Sequence, residues 1–337
     1  MLRTASFLVV LTLFICVSCS TDKSHKVVLY EIPRGFPVMN IPKDNLPTKE
    51  RIQLGKQLFF DTRLSKDNSI SCGSCHLASK AMADSMGVSP GVEGALGNRN
   101  SISIVNTAYQ VHWMREGGVP SLEMQVLAPI QDPNEMDFNI VNVVERLDSD
   151  SLLQELSQLA YSRAIDPFVI TRAIACYERS LLSAESAYDR YIHQGDMNNF
   201  GEDEIAGMNL FLSNKTNCSS CHGGFNFTDN SFKNNGLYLT YADKGRERLT
   251  AKSMDRALFK VPSLRNVGLT APYMHNGQFE DLDTVLNHYN AGGLGHPHQS
   301  DLVKPLNLSV KEIQQLKAFL MSLSDYTIAA NPKFQED

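Results

Sequence analysis

Two five-residue runs carry the chemistry available to this chain. One is Cys72-Gly73-Ser74-Cys75-His76 and the other is Cys218-Ser219-Ser220-Cys221-His222. C-x-x-C-H is the attachment pattern of a c-type haem. The spacing lets two thiols reach the two vinyl groups of one porphyrin, and the adjacent histidine swings under the iron as proximal ligand. Two cysteine pairs could instead share one zinc ion or act as redox dithiols. A zinc site of that kind sets its pairs about 15–20 residues apart, whereas Cys75 and Cys218 are 143 positions apart. Neither alternative accounts for a histidine after both pairs. The pattern predicts two covalently bound haem c groups, with His76 and His222 on the irons.

Other reactive residue types lie between and beyond these runs. Trp113, the only tryptophan, opens Trp113-Met114-Arg115-Glu116-Gly117-Gly118, Gln125 closes Ser121-Leu122-Glu123-Met124-Gln125, and Glu135 falls in the proline-containing stretch 128–136. By residue type alone, a glutamate beside prolines reads as a solvated loop charge and a lone tryptophan as core. Catalytic roles for Glu135 and Trp113 are the competing reading. Cys176 sits among Ile174 and Tyr177 on an apolar helical face, which predicts a buried structural thiol. His296 and His298 flank Pro297 in a glycine-rich stretch and are expected at the surface.

The elements that must position these groups follow from composition and periodicity. The 337 residues are 42% apolar and 20% charged, enough for about two domains at roughly 100–200 residues each. The net charge of -6 argues against nucleic acid as a partner, and the apolar content argues against disorder. After residue 20 no stretch approaches the roughly 20 apolar residues of a membrane span. Arg3, an apolar run from Phe7 to Val17 and Ser18-Cys19-Ser20 form a secretory signal over 1–19. Cys19 resembles the lipid-modified cysteine of a bacterial lipoprotein, although Cys16 replaces the usual leucine; simple cleavage and an uncleaved anchor are the alternatives. Each places the mature chain outside the cytoplasm, with membrane contact only through an N-terminal lipid. Pro33, Pro37 and Pro42 make 20–45 read as a flexible tether.

The rest repeats loosely. Leu54-Gly55-Lys56-Gln57-Leu58-Phe59 precedes the first haem run and Ala206-Gly207-Met208-Asn209-Leu210-Phe211 the second. In each, leucine and phenylalanine follow the glycine at one-face helical spacing, and the glycine permits close backbone approach. Ser309-Val310-Lys311-Glu312 is a capping box opening a helix lined by Val310, Ile313, Leu316, Leu320 and Leu323. Another helix is predicted over Pro167 to Ile192. Strand-like alternation is scarce. The fold class is mainly α: two cytochrome c-like helical haem domains, 46–197 and 198–330, dividing near Gly195 to Gly201.

From about Thr48 to Leu323 the sequence resembles the bacterial di-haem cytochrome c peroxidases and their MauG-type relatives. The resemblance rests on the segment 54–65, both haem runs, Gly97-Asn98-Arg99-Asn100, Trp113, Leu122-Glu123-Met124-Gln125 and the segment 129–136. It continues through Asp243-Lys244-Gly245-Arg246, Pro262-Ser263-Leu264-Arg265-Asn266 and the segment 269–277. It implies a peroxide-reacting haem on Cys72, Cys75 and His76. Glu135 would move the proton between peroxide oxygens there while Gln125 positions the peroxide. The haem on Cys218, Cys221 and His222 would take electrons from a small donor such as cytochrome c, and Trp113 would bridge the haems. Asn100, Thr270 and Pro272 match positions that hold calcium, which favours oxygen ligands. His275 would support the haem edge, and Arg246 could pair with a propionate. A homodimer is compatible with the sequence.

Two positions depart from the peroxidase pattern. Those enzymes carry a histidine after the first haem run that blocks the peroxide iron until half-reduction, but no histidine occurs from Leu77 to Val111. Unless His112 reaches back, the oxidised protein should be active without prior reduction. Fourteen residues beyond His275, where they place a methionine ligand, this chain has Tyr289, the MauG-type residue. Met274 is the other candidate ligand; a phenolate would lower the potential and a thioether raise it. Three functions follow from the resemblance: peroxide reduction by a small electron donor, MauG-type oxidation of a partner protein, or electron carriage alone.

Overall fold

The computed structural model describes residues 30–336, and the signal, Cys16 and Cys19 lie outside them. The first half starts with α1 (Lys49–Phe60), capped by Thr48, whose hydroxyl accepts from the Arg51 N–H. Next come α2 (Cys72–Cys75), α3 (Leu122–Gln125), α4 (Leu127–Gln131), α5 (Ile140–Leu147), α6 (Ser151–Tyr161) and α7 (Pro167–Ser180). After a short α8 (Ala187–Asp189), the second half holds α9 (Glu202–Leu212), α10 (Glu247–Thr250), α11 (Leu282–Ala291) and α12 (Val310–Ser322). One small antiparallel pair, β1 (Phe232–Lys233) with β2 (Phe259–Lys260), places Phe232 opposite Lys260. The architecture is mainly helical, as the periodicity predicts.

Each half is built on one tight helix crossing. In α1 a Cβ on Gly55 would lie 1.9 Å from the carbonyl oxygen of Ala173 in α7. In α9 a Cβ on Gly207 would lie 1.9 Å from the carbonyl oxygen of Gln315 in α12. Both glycines therefore bring two helix backbones into contact, the close approach their position in the repeat predicts. The first core gathers Leu54, Leu58, Phe59, Met82, Ile130, Ile170, Ile174 and Tyr177; the second gathers Phe211, Phe227, Leu286, Leu316, Phe319 and Leu320. Ser309 and Glu312 form the expected reciprocal cap of α12. Val310, expected inward, is 73% exposed, and Phe319 takes the core position instead.

Three expectations need correction. The segment expected to be a tether is packed from Tyr30 onward. The Tyr30 hydroxyl donates to the Cys176 carbonyl at 2.8 Å, and Phe36 meets Tyr109 of one half and Phe225 of the other edge-on. Asn45 donates to Glu123 at 2.9 Å. Aromatic anchors spaced between prolines hold this strap, because prolines lack the N–H donors that burial would otherwise leave unpaired. The helix from Pro167 stops at Ser180 because Asn106 takes the following backbone: its N–H donates to the Leu181 carbonyl and its amide bonds both backbone groups of Ser183. The chain end does not stay with the second half; Ile328 and Phe334 are buried in the first core, and the Tyr177 hydroxyl donates to the Lys333 carbonyl at 2.8 Å.

Candidate haem sites and distal pocket

The first haem run is the helical turn α2, with the Ser71 N–H donating to the Ser74 hydroxyl at 3.0 Å. The chain then folds into a tight loop in which Leu77 pairs with Ala83, while Ala81 and Met82 adopt positive φ. This loop carries the Met82 carbonyl to within 2.8 Å of His76 Nδ1. A carbonyl only accepts, so Nδ1 holds the proton and Nε2 is left with its lone pair for a metal. The second run repeats the device: His222 Nδ1 lies 3.2 Å from the Phe227 carbonyl and 3.1 Å from that of Pro262. Burial pushes both imidazoles below the usual histidine range, which keeps them neutral.

These residues fit a haem and not the alternatives. The four cysteines form no disulfide, and burial raises all of their thiols above the usual range, away from the reactive thiolate of a redox dithiol. Among the described residues, no three histidine, cysteine, aspartate or glutamate side chains converge as a metal site. Cys218 and Cys221 instead border a largely apolar cavity of about 320 Å³, lined also by Val267, Leu282, Leu286 and Leu320. Arg265, buried beside Asp189 at 2.8 Å, keeps its second terminal nitrogen without a protein partner and lines the same cavity. An orphaned guanidinium nitrogen suits a porphyrin propionate.

Glu135 stands at the tip of a pinned loop after α4. Its N–H donates to the Asp132 carbonyl at 3.0 Å and its carbonyl accepts from Val92 at 2.9 Å. Its side chain is exposed, yet the protein around it and the charge of Asp132 push the carboxyl up to about 7. The thiols of Cys72 and Cys75 are raised first by burial and also by the charge of Glu135, so Glu135 lies within electrostatic reach of the first haem run. Gln125 ends α3, half-buried. The same helix is anchored by Glu123, which takes a two-pronged contact from the Arg179 guanidinium at 2.6 and 3.0 Å, both groups being buried.

A second carboxyl near the first haem run was not expected from the sequence. Glu178 is buried with one oxygen unpartnered, is pushed up to about 8 by burial, and its charge is felt at Cys72. The signal was its position four residues after Ile174, on the apolar face of α7.

The second haem run gathers both candidate sixth ligands. Met274 and Tyr289 line the cavity with Cys218 and Cys221, and the Asn235 amide donates to the Met274 sulfur at 3.2 Å and to the Tyr289 oxygen at 3.4 Å. Burial raises Tyr289 above the usual phenol range. His275 stacks on Phe259 with centroids 4.3 Å apart, and burial with the nearby Arg115 charge lowers it to about 4. His112 packs against Phe232 of β1, in the other half from the first haem run.

The expectations for the junction fare differently. Trp113 pairs with Val119 in a turn that matches the pairing of Tyr273 with Phe279, and Met114 and Met274 share positive φ. In this internal match Arg115 is the counterpart of His275. Arg115 lines the cavity that reaches from Ala83 to Cys221, and Trp113 does not, its buried indole N–H having no protein partner. Arg246 lies over Phe232 and donates to the Glu116 carbonyl at 2.8 Å. His296, expected at the surface, is buried edge-on against Tyr241, because Asn234 and the His298 N–H both bond its Nδ1. Asn100, Thr270 and Pro272 line one cavity, but both Asn100 oxygens already accept from Arg115. These residues do not fit a calcium ion.

Comparison with known proteins agrees with this geometry. The family model for di-haem cytochrome c peroxidase matches residues 49–198. The methylamine utilization protein MauG of Methylorubrum extorquens is 37% identical over 286 residues, spanning 84% of this chain and 80% of that protein. The cytochrome c peroxidase Ccp of Escherichia coli is 35% identical over 259 residues, spanning 74% of this chain and 55% of its own. Among solved structures, a MauG-like protein associated with microbial copper homeostasis superposes with a TM-score of 0.87 at 31% identity, covering 92% of this chain and 99% of that one. The diheme peroxidase BthA of Burkholderia thailandensis shares the fold, with a TM-score of 0.74 at 22% identity over 85% of this chain and 88% of its own. With two half-buried imidazoles presenting Nε2 beside paired thiols, and relatives at this identity over most of its length, the chain belongs to the di-haem cytochrome c peroxidase family.

Proposed function

We propose that this protein reduces hydrogen peroxide to water with electrons from a small donor protein such as cytochrome c. In balance, one peroxide, two protons and two electrons give two waters. The haems supply the redox chemistry when bound. The observation that carries the reading is Glu135: a carboxyl brought up to about 7 whose charge acts on Cys72 and Cys75. Near neutral pH such a group can take the proton from one peroxide oxygen and return it to the other. Gln125, at the end of α3, would orient the peroxide through its amide. The Asn235 amide would steer the choice between Met274 and Tyr289 at the electron-entry side.

A MauG-type oxidation of a partner protein is the second reading, favoured by the burial of Tyr289 beside Cys218 and Cys221. Peroxide consumption by the haem-loaded protein, with reduced cytochrome c and with Glu135→Ala, separates the two. Cytochrome-dependent turnover lost in the variant supports peroxide reduction. A long-lived oxidised state with negligible cytochrome oxidation supports the second. We assign the mature chain to the periplasmic side, lipid-anchored through Cys19, with its haem domains dividing near residue 197.

A further inference from the structure

The junction between the halves already contains a cation. Asn100 spends every polar atom there. Its N–H donates to the His275 carbonyl at 2.9 Å, and its side-chain NH2 donates to the Met86 carbonyl at 3.0 Å, which turns the amide oxygen the other way. Its backbone oxygen accepts from Arg115 Nε at 3.0 Å and Nη2 at 2.8 Å, and its Oδ1 accepts from Nη2 at 2.9 Å. Calcium takes oxygen ligands at about 2.3–2.6 Å, so an ion on Asn100 Oδ1 would lie no more than about 5.5 Å from the Arg115 Nη2 that sits 2.9 Å from the same oxygen. Two like charges enclosed at that separation repel strongly.

The two carboxylates near Arg115, Asp243 and Glu116, offset this repulsion only in part. Both are engaged by other cations: Asp243 receives Arg99 at 2.7 and 3.0 Å, and Glu116 is shared by Arg99 and Arg248. Lys260 donates to the His112 carbonyl at 2.7 Å, and burial with the nearby Arg115 charge brings its amine down to about 7, so it adds only part of a positive charge at neutral pH. Several of these contacts cross between halves, as does the Lys260 N–H to the Arg115 carbonyl at 2.7 Å. The Arg115 guanidinium is cationic at neutral pH, as arginine side chains are in proteins.

We propose that the Arg115 guanidinium takes the place of the divalent cation expected at Asn100, Thr270 and Pro272, so that the two haem-bearing halves are held there by their direct contacts and not by calcium. The test uses the haem-loaded full chain, dialysed against EGTA or against calcium chloride and then gel-filtered. Elemental analysis should find well under about 0.1 calcium per chain in both samples, and the unfolding midpoint and haem absorption should agree between them. About one calcium per chain, or a midpoint several degrees lower in EGTA and restored by calcium, would overturn the proposal. In Arg115→Gln the midpoint should fall, or the variant should gain calcium binding that the parent lacks. An unchanged midpoint without gained calcium counts against it. If that variant fails to fold, calcium content of the parent still decides.

Discussion

Gly91 and Asn134 touch backbone to backbone. A Cβ on Gly91 would lie 2.1 Å from the Asn134 carbonyl oxygen and 2.6 Å from that of Glu135. The neighbouring Val92 N–H holds the same Glu135 carbonyl at 2.9 Å. A glycine with no catalytic atom of its own therefore sets where the Glu135 carboxyl stands. Gly91→Ala should push the loop outward and lower peroxide turnover by about 10- to 100-fold, as a misplacement of about 1 Å can. The haem absorption should be unchanged. Steady-state kinetics beside a visible spectrum checks this, and undiminished turnover would refute it.

The raised carboxyl of Glu135 implies a specific pH profile. To begin the transfer it must accept a proton, so the working form is the carboxylate. Because its pKa lies near 7 rather than the ordinary 4.5, turnover should fall as pH drops through about 7, where an ordinary glutamate would still be ionised. Glu135→Gln should lose about 10²- to 10⁴-fold and abolish that acidic limb. A limb near pH 4.5, or one that survives in the variant, would assign it elsewhere.

Glu178 links stability to pH in the opposite sense from a salt-bridged acid. Its carboxyl has an ordinary value of 4.5 and is raised to about 8 when folded. Between those values the unfolded chain has lost the proton that the folded chain keeps. Stability from this group is therefore fully present below about pH 4.5 and declines toward pH 8, by at most about 1.4 kcal/mol per pH unit. Glu178→Gln imitates the neutral form, so its unfolding midpoint relative to the parent should rise between pH 5.5 and 7.5. A difference that does not change with pH would show that the carboxyl ionises normally in the fold.

The two helix crossings should respond alike. Gly55→Ala and Gly207→Ala each place a methyl where a backbone oxygen stands 1.9 Å away. Forcing the helices apart should cost about 1–3 kcal/mol by overpacking, or a few degrees in midpoint for domains of this size. Helix propensity favours alanine by about 1 kcal/mol, so an unshifted or raised midpoint would mean the crossings relax freely. Calorimetry of both variants decides.

Much of the chemistry was legible because it is local. Haem attachment needs two thiols and a histidine within five consecutive positions, so C-x-x-C-H declares itself twice without any knowledge of folding. The repeat glycines and the α12 cap were readable for the same reason, since helical spacing and capping act over three or four residues. Gln125 and Glu135 came from the resemblance; by residue type Glu135 read as an ordinary loop charge.

What tertiary structure alone decided are pairings between distant positions. Asn106 stops α7 by taking the backbone of Leu181 and Ser183 more than seventy residues on. His296 becomes buried through Asn234 and Tyr241, although its own neighbours are glycines and prolines. Asn100 looked like a calcium ligand until the turn after Trp113 delivered Arg115 to both its oxygens. Spacing along a chain determines which groups can share one porphyrin. Only packing determines which charge reaches a given oxygen first, because buried polar atoms must find partners wherever the fold brings them.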